Sequence, residues 1–348
     1  MLVGIIVNED HISGDKWIVS CKKKNVDFRV LEITDPHFFE KVIEYKCDFY
    51  LLKPPGAISY YKTLFDEKIM TIVNYLNCKV FPSLSEVLVY ENKRFLAYFL
   101  ESNNLPHPTT YVAYSVEAAR KVSESLGFPC VAKTAIGASG SGVEILRTSM
   151  EFEKYVNRGF SSTGIKRRFG PNRVTGTSKK WISKAINDPV YFITKIKEYR
   201  HRSADAQKGF VILQKFVPHD FEWRVVRIGD SYFAHKKIKH GEMASGSKGI
   251  DYVNPPKNLL DFVRSICEKF EFRSMAVDLF EDGNGGYLIN ELQTIFGHVQ
   301  SHIMEVNGLP GRYLFINNEW CFEAGDFNTN ESYDLRLQSA IELYAKNR

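Results

Sequence analysis

The sequence predicts a mixed α/β and α+β protein that opens with a small parallel α/β unit. Three observations carry that expectation. Short apolar runs alternate with helical stretches over residues 1–88, a lysine-bearing strand runs into a Gly/Ser-rich loop at 130–142, and from Phe210 onward strands follow one another through tight turns. At 348 residues the chain has room for two or three packed units.

Leu2–Val7 reads as the first strand, because its apolar run has no basic segment or cleavage site that would mark a signal peptide. Phe28–Ile33 and Asp48–Lys53 read as two more, the last stopped by Pro54-Pro55-Gly56. At Asn92 the spacing turns helical through Phe95, Leu96, Phe99 and Leu100, and Pro106 and Pro108 end that helix. Ser115 caps a second helix, which Gly127-Phe128-Pro129 terminates. Cys130–Thr134 and Val143–Arg147 are strands around the Gly137–Gly142 loop. Later come Phe210–Val217, Trp223–Ile228 and Tyr232–Ile238 as strands, Asn258–Phe270 as an amphipathic helix, and a hairpin of Ser274–Phe280 with Tyr287–Leu292. The expected segments are 1–88, 89–209 with a basic insertion near 150–209, and 210–348.

With 44% hydrophobic and 25% charged residues, the composition is that of a globular protein. No apolar run approaches the ~18 residues that span a bilayer, so no membrane partner is expected. The six cysteines are scattered without a Cys-x-x-Cys pair, which indicates neither zinc nor a disulfide framework, and the cytoplasm is the expected compartment. The formal charge of +5 is uneven. From Arg158 to Arg202 twelve Lys/Arg face two acids, a net of +10, which leaves −5 elsewhere. Such a local excess implies an anionic partner or a solvated loop, and argues against a general nucleic-acid binder.

Three segments carry chemistry. In 129–143 a strand delivers Lys133 to a loop of glycines and serines, whose backbone N–H groups can approach phosphate oxygens. No Gly-Lys-Ser/Thr opens a helix, so this is not a Walker loop, and a hairpin with a solvent-reaching lysine is the simpler alternative. In the last hairpin Asp278 and Glu291 lie among Ala, Val, Leu and Ile, where a carboxylate needs a cation. With the Gln293 amide oxygen they form a hard donor set suited to Mg²⁺, against the alternative of a solvent-facing acidic row. Between them, Gln214-Lys215-Phe216-Val217 offers an apolar slot with a backbone edge, and Glu222 and Arg224 follow.

The order of these parts resembles the ATP-grasp superfamily, which includes D-alanine–D-alanine ligase, glutathione synthetase and the ribosomal-protein glutamate ligases. The resemblance covers about 80–310, and 1–80 looks like the small parallel α/β (pre-ATP-grasp) domain that precedes such a core. It implies that Lys93 and Lys133 bind ATP phosphates under a loop of Ser139, Gly140, Ser141 and Gly142. Gln214, Lys215, Phe216 and Val217 become the adenine hinge and Glu222 the ribose contact. Arg224 and Lys237 become catalytic, and Asp278, Glu291 and Gln293 hold Mg²⁺ or Mn²⁺. Two departures stand out: Gln293 replaces the family's usual asparagine, and about 60 residues separate Thr148 from Phe210. The basic run in that insertion, including Lys166, Arg167, Arg168, Arg173, Lys179 and Lys180, is either solvated or a cationic wall for an extended acidic substrate. Residues 235–249 form a candidate lid, while His219, His298 and His302 show no ligand spacing.

The resemblance implies an ATP-dependent carboxylate–amine ligase acting through an acyl phosphate. The expected partners are small-molecule or oligomeric carboxylates and amines, an anionic one among them, and a homodimer is compatible with the chain. A kinase or phosphotransferase, or a nucleotide-binding module without catalysis, are the rival expectations.

Overall fold

A run of six residues, Leu2–Val7, sets the centre of the first sheet. The computed structural model describes residues 1–9, 13–137, 140–167, 204–240, 243–244, 249–296 and 300–345. Strands β1 (Leu2–Val7), β2 (Asp27–Glu32), β3 (Phe49–Leu52) and β4 (Val80–Phe81) pair in parallel in the order β2-β1-β3-β4. Parallel strands are covered on both faces, which is why β1 is almost continuously apolar. Val3, Ile5 and Val7 meet Trp17 of helix α1 (Asp15–Lys23) and Leu337 and Ala340 of the C-terminal helix Tyr333–Ala345. Ile6 points the other way, with Tyr50 and Leu52, onto Phe38 of helix α2 (Phe38–Tyr45) and Phe65, Ile69 and Ile72 of α3 (Ser59–Asn74).

Helix α4 (Leu84–Val89) starts on a capping box formed by Ser83 and Glu86, and Asn92 caps α5 (Lys93–Ser102) by accepting from the Phe95 amide. A second sheet follows, with β5 (Thr110–Ala113), β6 (Cys130–Lys133), β7 (Val143–Leu146) and β8 (Val211–Lys215) paired antiparallel in the order β5-β8-β6-β7. Ala113, Cys130, Ala132, Leu146, Val211 and Leu213 form its apolar face. They pack on α6 (Val116–Leu126) and α7 (Ser149–Gly159). Alternation then assigns Val131, Lys133, Ile212 and Gln214 to the opposite face.

The third sheet contains nine described strands. Its main path is β14-β13-β9-β10-β16-β15, made of β9 (Phe221–Ile228), β10 (Ser231–His240), β13 (Ser274–Glu281), β14 (Tyr287–Gln293), β15 (Glu305–Val306) and β16 (Leu309–Ile316). The short β11 (Met243–Ala244) and β12 (Ile250–Asp251) lie on β10, and β17 (Glu319–Ala324) pairs with β16. One face, with Trp223, Val225, Ala234, Met275, Val277 and Leu279, is buried under Leu259, Leu260, Val263, Ile266 and Cys267 of α8 (Lys257–Lys269). The C-terminal helix is α9. No helix of the described residues is long and apolar enough to cross a membrane.

Two expectations need correction. His235–His240 belongs to strand β10, where Lys237 pairs with Glu222 and His235 with Arg224, so the first half of the expected lid is sheet. Residues 241–242 and 245–248 lie outside the described residues. In the basic segment, Arg167 is only 5% exposed. Its guanidinium donates to Asp205 Oδ2 at 2.6 Å and to the Ala57 carbonyl, while Asp205 Oδ2 accepts from the Ser59 amide at 2.7 Å. The pair therefore ties the base of the insertion to the start of α3, where a carboxylate also complements the helix dipole. Arg158 is likewise engaged, with both Nη2 contacts to the Glu144 carboxylate at 2.8 and 3.0 Å. Lys166 is exposed, and Arg168, Arg173, Lys179 and Lys180 lie outside the described residues.

Removing one member of a buried ion pair strands the other charge. Arg167→Met should lower unfolding free energy by roughly 3 kcal/mol, at the lower end of what is usual for such pairs. Urea titration followed by circular dichroism measures it, and a loss under about 0.5 kcal/mol would place Arg167 with ordinary surface charges.

Candidate nucleotide site

The charged cluster grows out of the same alternation that builds the third sheet. On the face opposite α8, Val226, Ile228, Phe233 and Ala276 continue the apolar packing with Phe296, Ile303 and Met304. Further along the same face the residues in register become Glu222, Arg224, Lys237 and Asp278, with Glu291 opposite Asp278.

Asp278 is 1% exposed and fully occupied. Arg224 Nε and Nη2 donate to its two oxygens at 2.7 and 2.8 Å, and Lys237 Nζ donates to Oδ2 at 2.8 Å. Burial works to raise the carboxyl's pKa, but Arg224 and Lys237 outweigh it and hold Asp278 ionised. Lys237 also pairs with Glu222 Oε2 at 2.6 Å, and Arg224 Nη2 donates to Gln293 Oε1 at 3.0 Å.

The second sheet supplies the facing lysines. Lys133 Nζ donates to Asn290 Oδ1 at 3.1 Å, and Lys93 Nζ lies 3.3 Å from Glu291 Oε1 and 3.2 Å from Glu91 Oε2. A β-bulge makes this possible. The register steps from Asp278–Glu291 to Leu279–Ile289, so Asn290 is the extra residue, and consecutive side chains meet the two lysines. Burial pushes the Lys133 ammonium down to about 8, an effect that Glu291 offsets in part. For Lys93 burial also acts downward, but Glu91 and Glu291 outweigh it and the net shift is upward.

The glycine loop sits beside these lysines. Gly137 O accepts from Lys93 Nζ at 2.8 Å, and the Ala135 carbonyl accepts from the Lys93 amide at 2.8 Å. A Cβ on Gly142 would fall 1.8 Å from Thr134 Oγ1, so only glycine fits there. Gly140 and Ser141 are described, whereas Ser139 lies outside the described residues. Gln214 shares the face of Lys133, its amide donating to Thr110 Oγ1 at 2.9 Å. The Lys215 side chain falls on the opposite face and is exposed, while half-buried Phe216 and Val217 lead across to the third sheet.

Comparison with known proteins agrees with this construction. The family described as carbamoyl-phosphate synthase L chain, ATP binding domain, matches residues 96–175. The alpha-aminoadipate–LysW ligase LysX of Saccharolobus solfataricus is 23% identical over 211 residues, 59% of this chain and 62% of that relative. The carbamoyl phosphate synthase large chain of Pyrococcus furiosus is 36% identical over 63 residues, 18% of this chain and 6% of that relative. The chain thus spans less than two thirds of these curated relatives. Among solved structures, D-alanine–D-alanine ligase from Bacillus anthracis superposes with a TM-score of 0.55 at 12% identity, covering 100% of both chains. A RimK domain protein of ATP-grasp type from Sphaerobacter thermophilus gives 0.51 at 14% identity, covering 84% of this chain and 90% of that one. The chain has the ATP-grasp fold.

Between the second and third sheets the structure brings Lys93, Lys133, Glu222, Arg224, Lys237, Asp278, Glu291 and Gln293 into one network, and leaves the Lys215 side chain outside it. Two roles look different from expectation. Both oxygens of Asp278 are held by cations, and Glu222 is paired with Lys237, so neither is an idle ligand. Among the described residues no three His, Cys, Asp or Glu side chains are grouped to hold a metal. The oxygen-only donors Glu291, Gln293 and Asp278 suit a hard cation in kind, and Glu291, whose side chain is 23% exposed, is the accessible one. Glu91 and Asn290 also belong to the network. Adjacent polar residues interrupting the alternation of β14 were the only available signal for Asn290.

Two measurements follow. Asp278→Asn should destabilise the fold by about 3–5 kcal/mol, because it leaves Arg224 and Lys237 short of a buried counter-charge. Glu291→Gln, on a partly exposed carboxylate, should cost under about 1 kcal/mol. Equal losses in urea unfolding would refute this division of labour. For Lys133, a phosphate binds the protonated amine, so Mg·ADP affinity should fall as pH rises from about 7 to about 9. Calorimetry should show that pH dependence flattened in Lys133→Met, and an unflattened slope removes Lys133 from the phosphate site.

Proposed function

We propose that this chain is an ATP- and Mg²⁺-dependent ligase that activates a carboxylate as its acyl phosphate and joins it to an amine. The observation that carries the reading is the convergence of Lys93 and Lys133, beside the glycine loop, on the face that holds Arg224, Lys237, Asp278 and Glu291. Phosphoryl transfer asks a protein for positioning and charge neutralisation, and this cluster of cations held by carboxylates offers both. Both LysX and D-alanine–D-alanine ligase are ligases, which supports the same class.

In this reading a carboxylate oxygen attacks the γ-phosphorus of ATP and the bond to ADP breaks. The amine nitrogen then attacks the acyl carbon, and phosphate leaves with the bonding electrons and takes up the proton that the amine gives up. Lys93 and Lys133 bind phosphate oxygens, with Gly140, Ser141 and Gly142 above them. Arg224 and Lys237 face the charge that builds on the transferring group, still anchored by Asp278. Gln214, Phe216 and Val217 form the adenine edge, and Glu222 reaches the ribose once Lys237 turns away. Glu291, with Gln293 and Asp278, would hold Mg²⁺ or Mn²⁺, which supplies neutralising charge to the phosphates. The carboxylate is an amino acid, an acidic sugar or a peptide, and the exposed Lys166 offers it a cationic approach.

A screen of carboxylates and amines for ADP release tests the reading, with product mass separating an amide from a phosphorylated hydroxyl. Lys133→Ala should lower turnover by at least about 100-fold while the circular dichroism spectrum stays unchanged. A phosphate ester as product would replace the ligase by a phosphotransferase. Bound ATP without ADP across the screen would replace it by a binding module.

A further inference from the structure

Glu91 has no role in the reading above, yet its side chain is closely constrained. It is 4% exposed, its neighbour Asn92 caps α5, and its own φ is +49, a left-handed conformation that side chains other than Asn and Asp rarely adopt. Its oxygens have separate partners. Oε2 accepts from Lys93 Nζ at 3.2 Å, and Oε1 accepts from Gln293 Nε2 at 3.4 Å. Lys93 Nζ in turn lies 3.3 Å from Glu291 Oε1 and 2.8 Å from Gly137 O. One ammonium therefore stands between two carboxylates.

We infer that Glu91 is a positioning residue that makes nucleotide binding depend on a divalent cation; this rests on the nucleotide reading of the cleft. An ammonium has three donor positions, and those of Lys93 are directed at Glu91, Glu291 and Gly137. Lys93 can serve a phosphate only by giving up these carboxylates. Glu91 and Glu291 then face each other and an incoming anion without their shared cation, an arrangement strongly opposed by like charge. A divalent cation relieves it, because it binds carboxylate and phosphate oxygens together. Glu91 also holds the Gln293 amide nitrogen, which leaves the amide oxygen directed at Arg224.

The test measures ADP affinity by calorimetry on the full chain, with Mg²⁺ and with EDTA. Glu91→Gln keeps the shape and the ability to accept from Gln293 but removes the charge. Metal-free ADP affinity should rise about tenfold in the variant, the size of one pKa unit of interaction, while affinity with Mg²⁺ changes less than about threefold. An unchanged ratio of the two affinities overturns the role of Glu91 and leaves the nucleotide site intact. Failure of the wild type to bind ADP in Mg²⁺ overturns the nucleotide reading itself. If circular dichroism shows Glu91→Gln unfolded, Lys93→Met carries the question. Mn²⁺ alone, followed by electron paramagnetic resonance, should bind it about tenfold more tightly than wild type, since the competing ammonium is gone. Equal Mn²⁺ affinity overturns the proposal.

Discussion

Asp278 must stay ionised at a position almost without water, and the cleft is organised around that constraint. A buried carboxylate is tolerated only with cations and donors close by, and Arg224 supplies them from the adjacent strand β9 and Lys237 from β10 beyond it. Each cation then needs further acceptors, so Lys237 turns to Glu222 and Arg224 to Gln293. The charges hold one another in place, which is the preorganisation that phosphoryl transfer requires.

The same sheet explains why the charges gather at one end. A period of two makes one side of β9, β10 and β13 mainly apolar, and α8 covers it. On the other side the apolar residues stop after Val226, Phe233 and Ala276, and the charged positions begin. The bulge at Asn290 adds one side chain to this face, so Lys133 and Lys93 find separate partners in Asn290 and Glu291. Beside the glycine loop, Arg167 and Asp205 fasten the base of the insertion to α3, with the Arg167 Cδ 3.0 Å from where a Gly137 Cβ would lie. The glycine loop is thereby linked to the first sheet.

Much of this was legible in the chain because local patterns reflect local physics. The apolar run at Leu2–Val7, the Asn92 cap, the lysine strand and the Asp278–Glu291 hairpin are all stated by spacing and turn chemistry. Less visible were β4, only two residues long, and α9, whose apolar pattern is blurred because it buries Arg336 and Asp334 as well as Leu337 and Ala340. The β16–β17 hairpin does carry a signal, Asn317 and Asn318 at positive φ between paired strands.

Sequence by itself determined which residue types and strands the cleft is made from, since alternation, caps and glycine positions act over a few neighbours. Only the tertiary structure decided who partners whom. Composition marked Arg167 as one charge of a basic run, and burial against Asp205, 38 positions away, made it structural. Spacing marked Asp278 as a metal carboxylate, and its two cross-strand cations made it an anchor. Glu91 gave no pattern at all, because its meaning lies in Gln293, 202 positions along the chain. The energy of a buried charge depends on its neighbours in space, and those are set by the fold rather than by sequence distance.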